Sequence, residues 1–376
     1  MQKSKGRNLS YNALRGLAAL GIFFSHMSYL KASDMPFWSN FYQFFMAHGS
    51  VCSSFFYVLS GFLAVYTWRN SGFKDYAVRK LKKLYPLVFC VFLLAAAFDL
   101  FMSGSSVIND GVAPLSGQWW FNVLMNLTML KAFVPLESTF YSFHGPSWYM
   151  SALIVFYILA WFIVPKLVDE KSKKTAVRWV TAVCVAAYAV QAVICLIVDI
   201  NGLSDIRLWI TYVNPWFRIF GECFLGMAVA CHIDNIKMAA NSGGILKIAA
   251  LLFALAVPLL RNVFSTSLWN AWIYVFPITL VLIAFYNDKG GVANALKAKP
   301  LQVLGNISFE LYMTHAFVYE GLPIAVGILS ASLKSWIIYH AGIRFIITMI
   351  LAVLVAWIVN KLFGLIGRKK KRIKAQ

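Results

Sequence analysis

Long apolar runs separated by short polar and basic stretches dominate the chain, and ten of them approach the about 20 residues that a helix needs to cross a hydrocarbon core. They lie near 10–30, 50–68, 84–103, 146–164, 178–199, 215–232, 245–260, 270–286, 303–325 and 338–364. The pattern predicts an all-α integral membrane protein: one bundle of about ten transmembrane helices, organised as a single domain over 1–376 with a basic tail at 369–376. The connection 104–145 contains "GQWWFNVLMNLTMLKAFVP", whose apolar core is too short and too interrupted to span. It reads as one re-entrant or interfacial segment with Trp119 and Trp120 at headgroup level.

Basic residues set the orientation. With the N-terminus inside, the inner segments carry 25 Lys and Arg, including the run from Arg69 to Lys83 and the tail "GRKKKRIKAQ", while the outer segments carry five, Lys31, Lys131, Arg207, Arg261 and Lys334. Positive charge collects on the cytoplasmic side, so both termini are expected there and 104–145 is expected outside.

Composition narrows the class. Of 376 residues, 60% are hydrophobic and only 13% charged, which excludes an ordinary soluble protein. A net charge of +20 would suggest nucleic acid in a soluble chain. Here the basic residues sit between apolar runs, so the charge expresses topology and contact with membrane lipids, and no nucleic-acid partner is expected. The six cysteines show no C-x-x-C spacing and no histidine at metal-ligand spacing, so neither a metal site nor a disulfide framework is expected. "YLKASD" resembles a cleavage site weakly, but Arg15 and His26 in the preceding apolar run argue against a cleaved signal peptide.

Those two residues carry the first chemical question. An ionisable side chain within a membrane segment costs about 2.5–3.5 kcal/mol on insertion scales and so usually faces a polar interior. Eleven residues apart on a helix, Arg15 and His26 fall within about 20° of one face and about 16 Å apart along the axis. Arg15 would stand near the cytoplasmic end, able to hold an anion, and His26 deeper, able to act as a base. The structural alternative is an arginine that snorkels to the interface and a packing histidine. Further polar groups lie in other apolar runs. Arg218 and Glu222 are spaced to pair on one helix. Glu310 and His315 share the ninth stretch, with Glu310 at the depth of Arg15, where a contact between the two is conceivable. Ser60–Gly61 suits close helix packing as well as site chemistry. His48, His144 and Trp148 lie towards the outer face, where a glycan could stack on aromatic rings and where an aromatic belt is also expected.

Several stretches together resemble a known family. "RGLAALGIFFSH" is similar to the R-x10-H motif of the membrane acyltransferase-3 family, integral-membrane enzymes that O-acylate bacterial cell-surface glycans. "FFYVLSGFL", "YAVRKLKKLYP", "RIFGECFLG" and "LGNISFELYMTH" resemble further family motifs in the same order along the chain. Two positions depart from the pattern. "PSWYMSALIVFY" has Ser151, Ala152, Leu153 and Ile154 where many members place an acid, and the basic run has Lys80 and Lys83 where the family often has arginine. A lysine there offers a point charge in place of a bidentate fork.

The resemblance implies transfer of an acyl group, most simply acetyl, from cytoplasmic acyl-CoA to a hydroxyl of a cell-surface or exported glycan. The enzyme would be a multi-pass protein of the bacterial plasma membrane, with acetyl-CoA as co-substrate and no permanently bound cofactor. In this reading His26 and Arg15 are catalytic, and Arg15, Arg79, Lys80 and Lys83 bind acyl-CoA. Ser60, Trp148, Arg218, Glu222, Glu310, Tyr312 and His315 line the acceptor path. Direct transfer is favoured over an acyl-enzyme on His26 or Ser60. The acceptor, the acyl chain and the oligomeric state stay open. The same buried charges would also suit a transporter or flippase for a polysaccharide precursor or organic anion, although no inverted repeat or matched pair of broken helices is visible.

Overall fold

A computed structural model describes residues 7–32, 36–47, 49–68, 73–101, 111–257, 267–268 and 272–373, and among these the chain forms helices and turns with no strand. His48, Arg69 and Arg261 lie outside the described residues, as do the side chains of the basic tail. The helices that matter below are α1 (Leu9–Ser25), α2 (Gly49–Trp68), α3 (Phe73–Phe101), α4 (Gly117–Leu127), α5 (Trp148–Val168), α6 (Lys173–Ile200), α7 (Phe224–His232), α8 (Gly244–Ala256), α9 (Val275–Tyr286), α10 (Lys299–Asn306), α11 (Ser308–Leu329), α12 (Ala331–Tyr339) and α13 (Ala341–Ile373).

Among the described residues, six helical stretches are long and apolar enough to cross a bilayer, among them Val78–Phe101, Lys173–Ile200 and Ala341–Leu365, while α8 and α9 are shorter apolar helices. The chain is a multi-pass membrane protein. Its surface carries large apolar side chains in rows, such as Leu93 and Leu94 on α3 and Ile350, Leu354 and Trp357 on α13. Apolar groups facing outward are what lipid, in place of water, permits.

Two compact units divide the chain, Ser53–Asn294 joined by Asn8, and Leu9–Cys52 with Ala295–Gln376. Within the first, α2 and the helix following Arg218 approach closely. A Cβ on Gly61 would collide with the backbone carbonyl of Cys223, and one on Gly226 with that of Val58. Small residues here let two backbones touch, as membrane helix pairs require. Within the second unit, Asn12 bonds to Gln302 (3.0 Å), Phe23 meets His315 edge-on (6.3 Å), and His26 lies over Tyr319 (6.3 Å). Later residues of α1 thus meet later residues of α10 and α11, so the helices run parallel. α13 returns antiparallel, since Glu310 accepts from Asn360 (2.8 Å).

Four local features differ from the sequence reading. α1 stops at Ser25, because the Ser25 hydroxyl bonds back to the carbonyl of Ile22 (2.7 Å) and the amides of His26 and Met27 make tight bonds three residues back. His26 therefore stands in the turn that closes the helix. The basic run is a helix from Phe73 onward, continuous through Pro86. Lys, Arg and Leu are strong helix formers, and a proline within a membrane helix is tolerated. The ninth apolar stretch divides at Ile307 into α10 and α11. Finally, Trp119 is not at the surface: it is 4% exposed and its Nε1 donates to Asp99 (2.7 Å), whereas Trp120 is 55% exposed. An indole N–H finds its acceptor inward when a buried carboxylate is within reach.

Candidate functional site

Two histidines meet in the second unit. The end of α1 brings His26 to within 5.0 Å, ring centre to ring centre, of His315 on α11. His315 is fully buried and its Nδ1 lies 2.6 Å from the carbonyl oxygen of Tyr312. A carbonyl can only accept, so Nδ1 carries the proton and Nε2 presents a bare lone pair. That Nε2 is cut off from solvent and has no hydrogen-bond partner. His26 is partly exposed, so it can touch a substrate that His315 cannot reach. Tyr319, one helical turn beyond His315, stacks on the other imidazole at 27° between planes.

Glu310 and Tyr312 share this helix. Glu310 is buried, one carboxylate oxygen taken by Asn360 and the other without a partner. Arg15 is half-buried, and no hydrogen bond or ion pair joins it to Glu310 or to any other described residue. The contact considered between the two is thus not made. The neighbouring Gly16 explains why α1 lies so near α10: a Cβ there would sit 2.6 Å from the backbone nitrogen of Gly305.

A second polar cluster lies in the first unit. Arg218 pairs with Glu222, as the spacing suggests, where the helix widens to π geometry over Arg218–Cys223. Such widened turns recur at functional positions. Ser54 of α2, which the sequence reading overlooked, donates to Glu222 (2.6 Å) and accepts from Arg218 (2.9 Å). The guanidinium also donates to the carbonyl of Tyr212 (2.9 Å) and lies 5.5 Å from that residue's ring. Trp148 packs on Tyr212 at 5.0 Å, so it belongs to the same cluster. One Arg218 nitrogen and one Glu222 oxygen are buried without partners. Ser60 lies further along α2 and is only partly buried. Arg79 and Lys83 are exposed on α3, with Lys80 half-buried between them.

Among the residues overlooked, Arg344 had a readable signal, an arginine inside an apolar run. Its guanidinium lies 4.0 Å over the ring of Tyr29. Ser54 had none, since a lone serine in a membrane helix is ordinary. Among the described residues no three His, Cys, Asp or Glu side chains gather to hold a metal, and the six cysteines are free thiols.

The second unit thus holds one buried and one partly exposed imidazole in contact, within a helical membrane protein. The chain belongs to the acyltransferase domain family, which it matches over residues 8–361. The acyltransferase MdmB of Streptomyces mycarofaciens is 24% identical over 394 aligned positions, covering 96% of this chain and 93% of that protein. No solved structure matches it. The protein is accordingly an enzyme that transfers acyl groups.

Proposed function

We propose that the protein moves an acetyl or other small acyl group from cytoplasmic acyl-CoA to a hydroxyl of a glycan at the bacterial plasma membrane, with His26 as the base. The observation that carries this reading is the pairing of a partly accessible imidazole with a buried one whose tautomer is fixed by Tyr312. In the reaction the acceptor oxygen attacks the thioester carbonyl while His26 takes the hydroxyl proton. The carbon–sulfur bond then breaks, and the departing thiolate recovers a proton from His26. The bare Nε2 of His315 sits where it can stabilise the imidazolium that forms between those steps, a role that needs a fixed lone pair and no net charge.

Arg15 supplies an anion anchor about 16 Å from His26 along the helix, and the parallel course of α1 and α11 puts Glu310 nearer to that end. With both termini cytoplasmic, the Arg15 end faces the side where acyl-CoA is made. Arg79, Lys80 and Lys83 of the first unit carry further positive charge that would attract phosphates.

Purified wild-type and variant protein with labelled acetyl-CoA and a glycan acceptor provide the test. His26→Ala should abolish transfer while donor binding persists, because the imidazole acts on the proton in flight. His315→Ala should lower kcat by about 10²-fold or more with KM for the donor little changed. Arg15→Ala should instead weaken donor binding, and Arg15→Lys should recover only part of it. Full activity in a folded His26→Ala protein would overturn the assignment.

A further inference from the structure

Arg344 stands near the start of α13 and has no part in the chemistry above. Its Nε is sealed from solvent and bonded to nothing, and no described carboxylate pairs with it. The groups within electrostatic range are the phenols of Tyr29 and Tyr319. Glu320, next to Tyr319 in the chain, makes no ion pair with Arg344. A guanidinium is charged at every working pH and carries five N–H donors. Holding one half-buried, with its Nε buried and unbonded and no anion paired to it, is expensive, and it persists where a ligand compensates the charge.

Position says which ligand. Tyr29 lies three residues past His26, while Arg15 lies eleven before it. Tyr319 stacks on His26 and also lies within electrostatic range of Arg344, so the guanidinium is on the Tyr319 side of the histidine pair. Arg344 is therefore at the opposite end of α1 from the arginine assigned to the donor. We propose that Arg344 anchors an anionic group, a carboxylate or a phosphate, carried by the acyl acceptor, an inference that rests on the transfer reading given above. The Tyr29 ring fixes one face of the guanidinium and leaves its edge for a two-pronged grip on two oxygens. The substrate class is thus an acidic glycan.

Binding, measured without turnover, separates this claim from the transfer mechanism. The full chain carrying His26→Ala is placed in phosphatidylcholine nanodiscs, with and without Arg344→Gln or Arg344→Lys. Three probes are compared: an oligosaccharide ending in glucuronate, the same oligosaccharide ending in glucose, and one capped with glycerol phosphate. The protein with Arg344 intact should prefer at least one charged probe by about tenfold or more, as expected for a lost charge-assisted hydrogen bond. Arg344→Gln should reduce the preference to about twofold or less, Arg344→Lys should restore part of it, and coenzyme A binding should stay constant in all three. The lysine variant also guards against misfolding, since it keeps the charge and most of the stem. Equal binding of charged and neutral probes with Arg344 intact would overturn the proposal, as would a preference that survives Arg344→Gln. Loss of charged-probe binding on replacing phosphatidylcholine with phosphatidylglycerol, at unchanged coenzyme A affinity, would support the anion site and show that lipid competes for it. A shift in Arg344-dependent phosphatidylglycerol binding with no probe preference would assign the residue to lipid and overturn the acceptor role.

Discussion

Single side chains decide whether the buried charges are tolerable. Arg218 and Glu222 are each 2% exposed, and their pairing is completed by the hydroxyl of Ser54. Removing one partner leaves the other uncompensated, so Arg218→Met should destabilise the protein by about 3–5 kcal/mol, while Arg218→Met with Glu222→Leu should recover much of that loss. Thermal unfolding in detergent at fixed pH checks the order of the three proteins; a double variant less stable than the single would reverse the argument. The pair itself was legible in the sequence because its spacing is local. Ser54 was not, since nothing along the chain announces a contact 164 residues away. The same holds for His26 and His315: each histidine stands out in an apolar run, but only folding brings the rings together.

Elements show where local rules yield to tertiary ones. Of the ten expected apolar runs, six form described helical stretches long enough to span, and the pattern also missed ends and interruptions, such as the turn at His26 and the break at Ile307, which depend on single hydrogen bonds and close backbone contacts. The segment 111–145 is the strongest case. Expected as one re-entrant or interfacial segment, it folds around Lys131, whose side-chain nitrogen is buried and donates to the carbonyls of Ser142 (3.0 Å) and His144 (2.8 Å). Those carbonyls flank Phe143, held at a positive φ of 58°, a strained backbone for a bulky residue. Burial pushes the Lys131 pKa well below its ordinary value. Between its lowered folded value and the ordinary lysine value of about 10.4, the unfolded segment therefore binds more protons than the folded one, and its stability rises with pH across that window. Hydrogen exchange of 128–145 should show protection growing as the pH is raised from neutrality, after correction for intrinsic exchange. Lys131→Met, close in length and without a charge, should flatten that dependence. An identical slope in the variant would remove Lys131 as its source.

At the scale of the molecule, the second unit is assembled from Leu9–Cys52 and Ala295–Gln376, with all of Ser53–Asn294 made in between. At cellular rates of about 5–20 residues per second, α1 waits on the order of 10–50 s in the membrane before its partners leave the ribosome. During that interval Arg15 and His26 have no α11 beside them, and the histidine pair does not exist. On the proposed mechanism, activity should be switched on by the helices of 295–376, and a chain interrupted before them should be inert while its first unit is already whole. A product ending at Asn294 should keep the Arg218–Glu222 cluster protected from proteolysis yet transfer no acyl group. Supplying residues 295–376 as a separate polypeptide in the same cell should restore measurable transfer, because α10, α11 and α13 meet α1 through side chains and close backbone contacts that do not need a continuous chain.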